Sequence, residues 1–292
     1  MTGTIIKTLS GFYYVSCTDG VFECRARGKF RLDGTSPLVG DKVSITADAN
    51  GKGTVDEVFE RKNYFIRPAV ANVDALVFVA ANTNPVTDPF LIDRVSVIAH
   101  SAGCELIVCL NKADLDPADE LYAIYTASGF KTVRTSAATG EGIEELRALL
   151  KGKITALTGN SGVGKSSLLN RIVPELGLAV GEVSEKLGRG RHTTRHVELF
   201  TIGEGSFVAD TPGFASFDIT MMQPVKRQEL QYEFPEIGGL SDRCRFNDCV
   251  HQNEPGCAVK EALGEGRICR SRYESYKKLY ELIPQDDYNT KP

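Results

Sequence analysis

A chain of 292 residues with 42% hydrophobic and 25% charged residues has the composition of a globular protein of two or three domains. A formal net charge of −4 gives the whole chain no attraction for nucleic acid, so any RNA contact has to come from local patches. No apolar run is long enough to span a bilayer and the first residues lack a secretory pattern, so a cytoplasmic protein without membrane contact is expected, its eight cysteines reduced.

Residues 1–70 read as short strands separated by Gly11, Gly20, Gly34, Gly40 and Gly51. Five strands in this length predict a small closed β-barrel of the OB type. Arg25, Arg27, Lys29 and Arg31 alternate around Phe30. They form either an RNA face with an aromatic platform or a solvated strand edge.

From Val73-Asp-Ala-Leu-Val-Phe-Val79 onward, strand and helix patterns alternate, which predicts a central α/β domain with a parallel sheet over 71–224. Pro85 and Pro89 punctuate the chain before a helical run at 90–99. The next apolar strand, 104–110, leads into Asn111-Lys112-Ala113-Asp114. Guanine offers two neighbouring donors on one edge, and an ionised Asp accepts through two oxygens, so Asp114 matches that pair. Adenine presents an acceptor at the ring position and would leave Asp114 unpartnered. Asn111 would tether the loop and Lys112 would lie along the base plane. After the strand-like 131–134, Thr135-Ser136-Ala137 could touch the guanine oxygen through its backbone.

Residues 140–150 carry apolar side chains at helical spacing and run straight into the strand-like 153–158. There follows Gly159-Asn160-Ser161-Gly162-Val163-Gly164-Lys165-Ser166, an uninterrupted phosphate-loop pattern, with Ser167 opening a helix. Backbone N–H groups of such a loop wrap phosphates, and the helix N-terminus favours their charge. Lys165 would reach the β- and γ-phosphates, and the Ser166 hydroxyl would ligate Mg²⁺. Residues 185–196 mix glycines and charges, as a mobile switch loop would. Thr194, with Thr193 as the other candidate, would reach Mg²⁺ and the γ-phosphate. Asp210-Thr-Pro-Gly213 follows a strand; Asp210 would hold Mg²⁺ through water and the Gly213 amide would approach the γ-phosphate.

The Asn-Lys-x-Asp element precedes the phosphate loop, the reverse of the order in ordinary GTPases. A site assembled from loops at one sheet edge tolerates such a cut. The chain therefore resembles a circularly permuted GTPase. Residues 225–292 form a mainly helical tail with one Cys-rich loop, in which Cys244, Cys249, His251 and Cys257 lie within fourteen residues. Three Cys and one His match a closed structural zinc site; free thiols are the alternative, and Cys269 is a reserve ligand. A helix is expected near Arg272, with Tyr273, Tyr276, Leu279, Tyr280 and Ile283 on its packing face.

The OB-like start, the permuted motifs and the Cys₃His tail together resemble the ribosome small-subunit-dependent GTPase A family. The resemblance covers the whole chain. It implies a GTP hydrolase that turns GTP into GDP and phosphate with Mg²⁺ and one structural Zn²⁺. It implies stimulation by the small ribosomal subunit and its rRNA, a late maturation or checkpoint role in assembly of a 30S-type subunit, and a monomer. Phe214 stands where ordinary GTPases carry a water-orienting Gln, so His192 and His196, beside the switch Thr, become candidates for that task.

Overall fold

The computed structural model describes residues 1–28, 30, 36–48, 50–66, 68–176, 197–203, 205–210 and 225–284. The first five strands are β1 (Thr2–Leu9), β2 (Phe12–Cys17), β3 (Gly20–Ala26), β4 (Lys42–Ala47) and β5 (Lys52–Val58). They pair in the order β1-β2-β3-β5-β4, and β4 returns to β1, which closes the barrel. The β3–β5 pairing is parallel and the others are antiparallel, the arrangement of an OB barrel. Alternate residues point inward, so Ile5, Val15, Cys24, Val43, Ile45 and Val55 fill the interior. Phe30 joins them with 8% of its surface exposed. It is part of the barrel core and not an exposed aromatic platform, one of the two readings that its basic neighbours left open. It lies beyond the end of β3, where strand alternation no longer governs which way a side chain faces.

A short hairpin, β6 (Tyr64–Ile66) and β7 (Ala69–Ala71), leads to the α/β part. There the elements run β8 (Ala75–Ala80), α1 (Pro89–Ser101), β9 (Glu105–Leu110), α2 (Asp119–Ala127), β10 (Lys131–Arg134), α3 (Ile143–Leu150), β11 (Ile154–Thr158), α4 (Lys165–Ile172), β12 (Glu198–Gly203) and β13 (Ser206–Asp210). The sheet order is β10-β9-β8-β11-β13-β12, parallel except for β12. Every residue of β8 and β11 is buried, as expected for strands covered on both faces. Leu76, Phe78 and Ala80 face one side with Ile92, Val95 and Leu121 of the α1–α2 layer. Ala75, Val77 and Val79 face the other with Leu146, Leu168 and Leu169 of the α3–α4 layer. Asp88 caps α1 by accepting from the Phe90 N–H at 2.9 Å, and Pro89 occupies the first turn, where its missing N–H costs nothing.

The barrel and the α/β sheet are continuous. β1 pairs with β12 at Lys7↔Glu198, and the two side chains form an ion pair at 2.9 Å. The tail carries α5 (Pro235–Ser241), α6 (Ala258–Gly264) and α7 (Arg270–Leu282). Tyr273, Tyr276, Leu279 and Ile283 of the last segment pack with Phe234, Ile237, Val259 and Ala262, and Val97 of α1 enters the same cluster. The tail is thus seated on the helix that follows β8.

Candidate nucleotide-binding site and metal centre

Three loops meet at the carboxyl ends of β9, β10 and β11, where open α/β sheets bind ligands. The loop after β11 needs its glycines for different reasons. Gly159 has φ +130°, and a Cβ there would lie 2.1 Å from the Val79 carbonyl oxygen. Gly164 has φ +96°, and a Cβ would lie 2.4 Å from Asn111 Nδ2. Any side chain at either position would push the loop off its neighbours. Ser166 and Ser167 lie in the first turn of α4, and Lys165 opens it. Lys165 Nζ donates to the carbonyls of Gly159 at 2.8 Å and Asn160 at 2.6 Å, so it lies along its own loop. Burial lowers its pKa, because the ammonium loses hydration there.

Asn111 is the junction of the three loops. Its Nδ2 donates to the Val163 carbonyl at 2.8 Å. Its Oδ1 accepts from the Ala137 N–H at 3.1 Å and from Thr135 Oγ1 at 3.3 Å. Asn111 and Ser136 are buried. An amide is suited to this task because it offers a donor and an acceptor in one rigid plane. Lys112 has φ +65°, and the Ala113 N–H donates to the Thr135 carbonyl at 3.0 Å. The turn leaves Asp114 exposed, and its carboxylate has no partner among the described residues. Asn111, Lys112, Asp114, Ala137, Gly164 and Ser167 line one cavity of about 530 Å³. The chain motifs did not announce four further lining residues, Leu115, Ala138, Asn170 and Arg171. Arg171 stands out because its guanidinium holds the carbonyls of Ala137 and Ala138.

Asp210 ends β13, next to β11 in the sheet. Thr193, Thr194, His192, His196, Gly213 and Phe214 lie outside the described residues, as do Arg189, Arg191 and Arg195, and Lys29 and Arg31 of the barrel. On the barrel, a groove of about 610 Å³ is lined by Phe12, Tyr13, Arg25, Arg27 and Phe30 among others. The Arg25 guanidinium sits 4.7 Å above the Phe12 ring, whereas Arg27 is paired with Asp56 at 2.7 Å. Phe12, with Arg25 over its ring, and Tyr13 thus contribute aromatic surface to this groove.

The candidate metal centre is built around His251. Its Nδ1 lies 3.6 Å from Cys244 Sγ, 3.4 Å from Cys249 Sγ and 3.4 Å from Cys257 Sγ, and the Cys244 and Cys257 sulfurs are 3.9 Å apart. Around a tetrahedral zinc with Zn–S of about 2.3 Å and Zn–N of about 2.0 Å, ligand separations are about 3.5 Å for S···N and about 3.8 Å for S···S. These four separations are compatible with a zinc ion held by the four side chains. His251 Nε2 contacts Gln231 Oε1 at 2.8 Å and Ser241 Oγ at 3.2 Å, which fixes the ring and leaves Nδ1 for the metal. Burial lowers the His251 pKa, which keeps it in its neutral, ligating form. Burial also pushes the Cys249 thiol up to about 12, so thiolates need a cation in their midst. Cys269, the reserve ligand, stands apart at the N-terminus of α7, with its sulfur near the Ile124 carbonyl.

Comparison with known proteins is consistent along the whole chain. The family described as RsgA GTPase matches residues 58–220, and the RsgA N-terminal domain matches residues 2–55. The small ribosomal subunit biogenesis GTPase RsgA of Caldanaerobacter subterraneus subsp. tengcongensis is 46% identical over 98% of this chain and 96% of its own length. The protein of that name from Bacillus cereus is 44% identical over 96% of this chain and 97% of its own. The crystal structure of YjeQ from Thermotoga maritima superposes with a TM-score of 0.84 at 39% identity, covering 97% of this chain and 98% of that one. YloQ, described as a circularly permuted GTPase, gives 0.82 at 36% identity, covering 100% of this chain and 96% of that one.

Proposed function

Since the chain belongs to the RsgA GTPase family and is a GTPase, we propose that it serves assembly of the small ribosomal subunit, as a late maturation or checkpoint factor. The observation that carries the site assignment is the single cavity shared by Asp114, the Ala137 loop and the phosphate loop, laced together by Asn111. In this reading GTP lies with its base between Lys112 and Asp114 and its phosphates over 159–167. Lys165 binds the β- and γ-phosphates. Bound Mg²⁺, held by Ser166 and Thr194 with Asp210 acting through water, would neutralise charge on those phosphates. The Gly213 amide approaches the γ-phosphate, and His192 or His196 positions water in place of the absent Gln. One Zn²⁺ on Cys244, Cys249, His251 and Cys257 fixes the tail.

The base assignment has a direct test. Asp114→Asn replaces an acceptor oxygen with an amide that faces a guanine donor. It is expected to weaken GTP binding roughly 10- to 100-fold and to gain affinity for xanthine nucleotide, whose edge complements the amide. An unchanged GTP affinity in a titration would remove Asp114 from the site.

The partner is proposed to be the small subunit and its rRNA, contacted by a cytoplasmic monomer with units at 1–70, 71–224 and 225–292. Among the described residues no helix is long and apolar enough to cross a membrane. The Phe12–Arg25 groove supports an RNA contact from the barrel, since an aromatic face with a stacked cation suits unpaired bases. Arg189, Arg191 and Arg195 would dock the switch loop on rRNA and so order Thr194. Purified small subunits are therefore expected to accelerate hydrolysis by about 10-fold or more, against a ceiling near 10⁵-fold for externally completed GTPase sites. Neutralising the three arginines is expected to lower the stimulated rate and spare the basal one. Equal rates with and without subunits would favour a self-contained hydrolase with a zinc module. Subunit binding without turnover would favour a pure binding switch.

A further inference from the structure

The last turn of α4 reaches back to the base-reading loop. Arg171 Nε donates to the Ala137 carbonyl at 2.8 Å, and Nη2 donates to the Ala138 carbonyl at 2.7 Å. The loop returns the support at one remove. It runs on into α3, whose Arg147 Nη2 donates to the carbonyls of Arg171 and Ile172, each at 2.8 Å. The C-terminus of α4 and the loop thus hold each other in a closed circuit.

A trans peptide is planar, so pinning a carbonyl also aims the N–H of the following residue. Holding the Ala137 carbonyl fixes the direction of the Ala138 N–H. The neighbouring donors are already committed: the Ala137 N–H to Asn111 Oδ1 at 3.1 Å and the Thr139 N–H to Ser136 Oγ at 3.1 Å. The Ala138 N–H has no partner among the described residues, and Ala138 lines the same cavity as Asp114, Lys112 and Arg171. Arg171 also sits on the helix that begins with Lys165 and Ser166. Five residues of helix set it about 7.5 Å along the axis from Ser166. One rigid element therefore spaces the phosphate end of the cavity from the base end.

We propose that Arg171 is a positioning residue for base selectivity: its forked guanidinium holds the peptide that presents the Ala138 N–H to the six-position oxygen of guanine. The proposal rests on the reading of this cavity as the guanine site. Arginine suits the role because its planar fork holds two carbonyls in a set mutual orientation, which a freely rotating ammonium does not impose.

The test uses the full-length protein with Mg²⁺ and three nucleotides in calorimetric titrations. 6-Thio-GDP replaces the six-position oxygen with a poor acceptor, and IDP lacks the exocyclic amine that faces Asp114. Wild type is expected to prefer GDP over both. In Arg171→Ala the preference for GDP over 6-thio-GDP is expected to fall about 3- to 10-fold, the worth of one such hydrogen bond, while the preference over IDP stays in place. Arg171→Lys is expected to behave like the alanine variant. An unmoved 6-thio-GDP preference in Arg171→Ala, an equal weakening of all three nucleotides, or wild-type behaviour of Arg171→Lys would each overturn the clamp. Wild-type protein that binds ADP as well as GDP would instead overturn the guanine reading, and the clamp with it.

Discussion

Cys249→Ala is expected to strip the chain of its zinc and unfold the tail. The four ligand atoms lie within 4.8 Å of one another, and Cys249, His251 and Cys257 are buried at the centre of the tail's apolar cluster. Hydrogen bonds also hold this loop, among them His251 to Gln231 and the Arg245 N–H to the Gly256 carbonyl. Tyr273 and Tyr276 donate to the carbonyls of His251 and Val250 at 2.6 and 3.0 Å, and Glu254 accepts from the N–H of Val250 and Gln252. All of these contacts depend on the course that the ligands impose on the chain. Structural zinc contributes roughly 10–16 kcal/mol in small modules, more than these hydrogen bonds could replace. Metal analysis is expected to fall from one zinc per chain to none, with amide protection lost in α5 and α6. GTP binding is expected to survive, because none of the cavity residues belongs to the tail. Wild-type protein purified without zinc, or a variant with unchanged amide protection, would sink this account.

Arg272→Met is expected to cost about 3–5 kcal/mol, the loss that follows when one member of a buried charge network is removed. Arg272 and Asp93 are both fully buried. The Arg272 guanidinium donates to Asp93 Oδ1 at 2.9 Å, to Ser96 Oγ at 2.9 Å, and to both Glu236 oxygens at 2.7 and 3.2 Å. The rings of Phe130 and Phe234 lie 4.9 and 4.6 Å from its centre. Burial alone would lower the Arg272 pKa, but Asp93 and Glu236 more than offset it and raise it, so the charge persists. Methionine would fill much of the volume and leave Asp93 as an interior carboxylate without its cation, with the neutral hydroxyls of Tyr125, at 3.0 Å, and Ser275 as its remaining partners. Chemical denaturation is expected to show the full loss. Asp93→Leu combined with Arg272→Met and Glu236→Gln is expected to recover most of it, because the cost lies in the stranded charge. A single variant within 1 kcal/mol of wild type would show that the network contributes little.

The loops that form the candidate sites were legible because each is contiguous. The phosphate loop, the Asn111–Asp114 turn and the Cys₃His loop hold their signature residues within a few positions, so spacing alone suggests what they do. The alternation of β8 was equally open to reading, since each of its faces meets a different helical layer. The ties between units were not legible. Lys7 meets Glu198 across 191 positions and Arg272 meets Asp93 across 179, and neither stretch has a local pattern that singles out its partner. An Arg in a helix and an Asp in a helix ordinarily face water, and only packing took these two inside. Arg171 was hidden for a related reason. It follows the phosphate-loop motif by several residues, and its meaning depends on carbonyls that β10 and its loop bring to it.

The burial of Arg272 has a consequence for synthesis on the ribosome. Asp93 and Tyr125 leave the exit tunnel with β8, β9 and the helices that cover them, but the cation that balances Asp93 is made 179 residues after it. At about 5–20 residues per second that interval lasts roughly 10–40 s. During it the nascent α/β unit has to hold Asp93 protonated or leave α1 loosely packed. The last helix therefore acts as a completion step. A chain truncated before α7 keeps every nucleotide motif and lacks the charge that lets the first α/β helix settle.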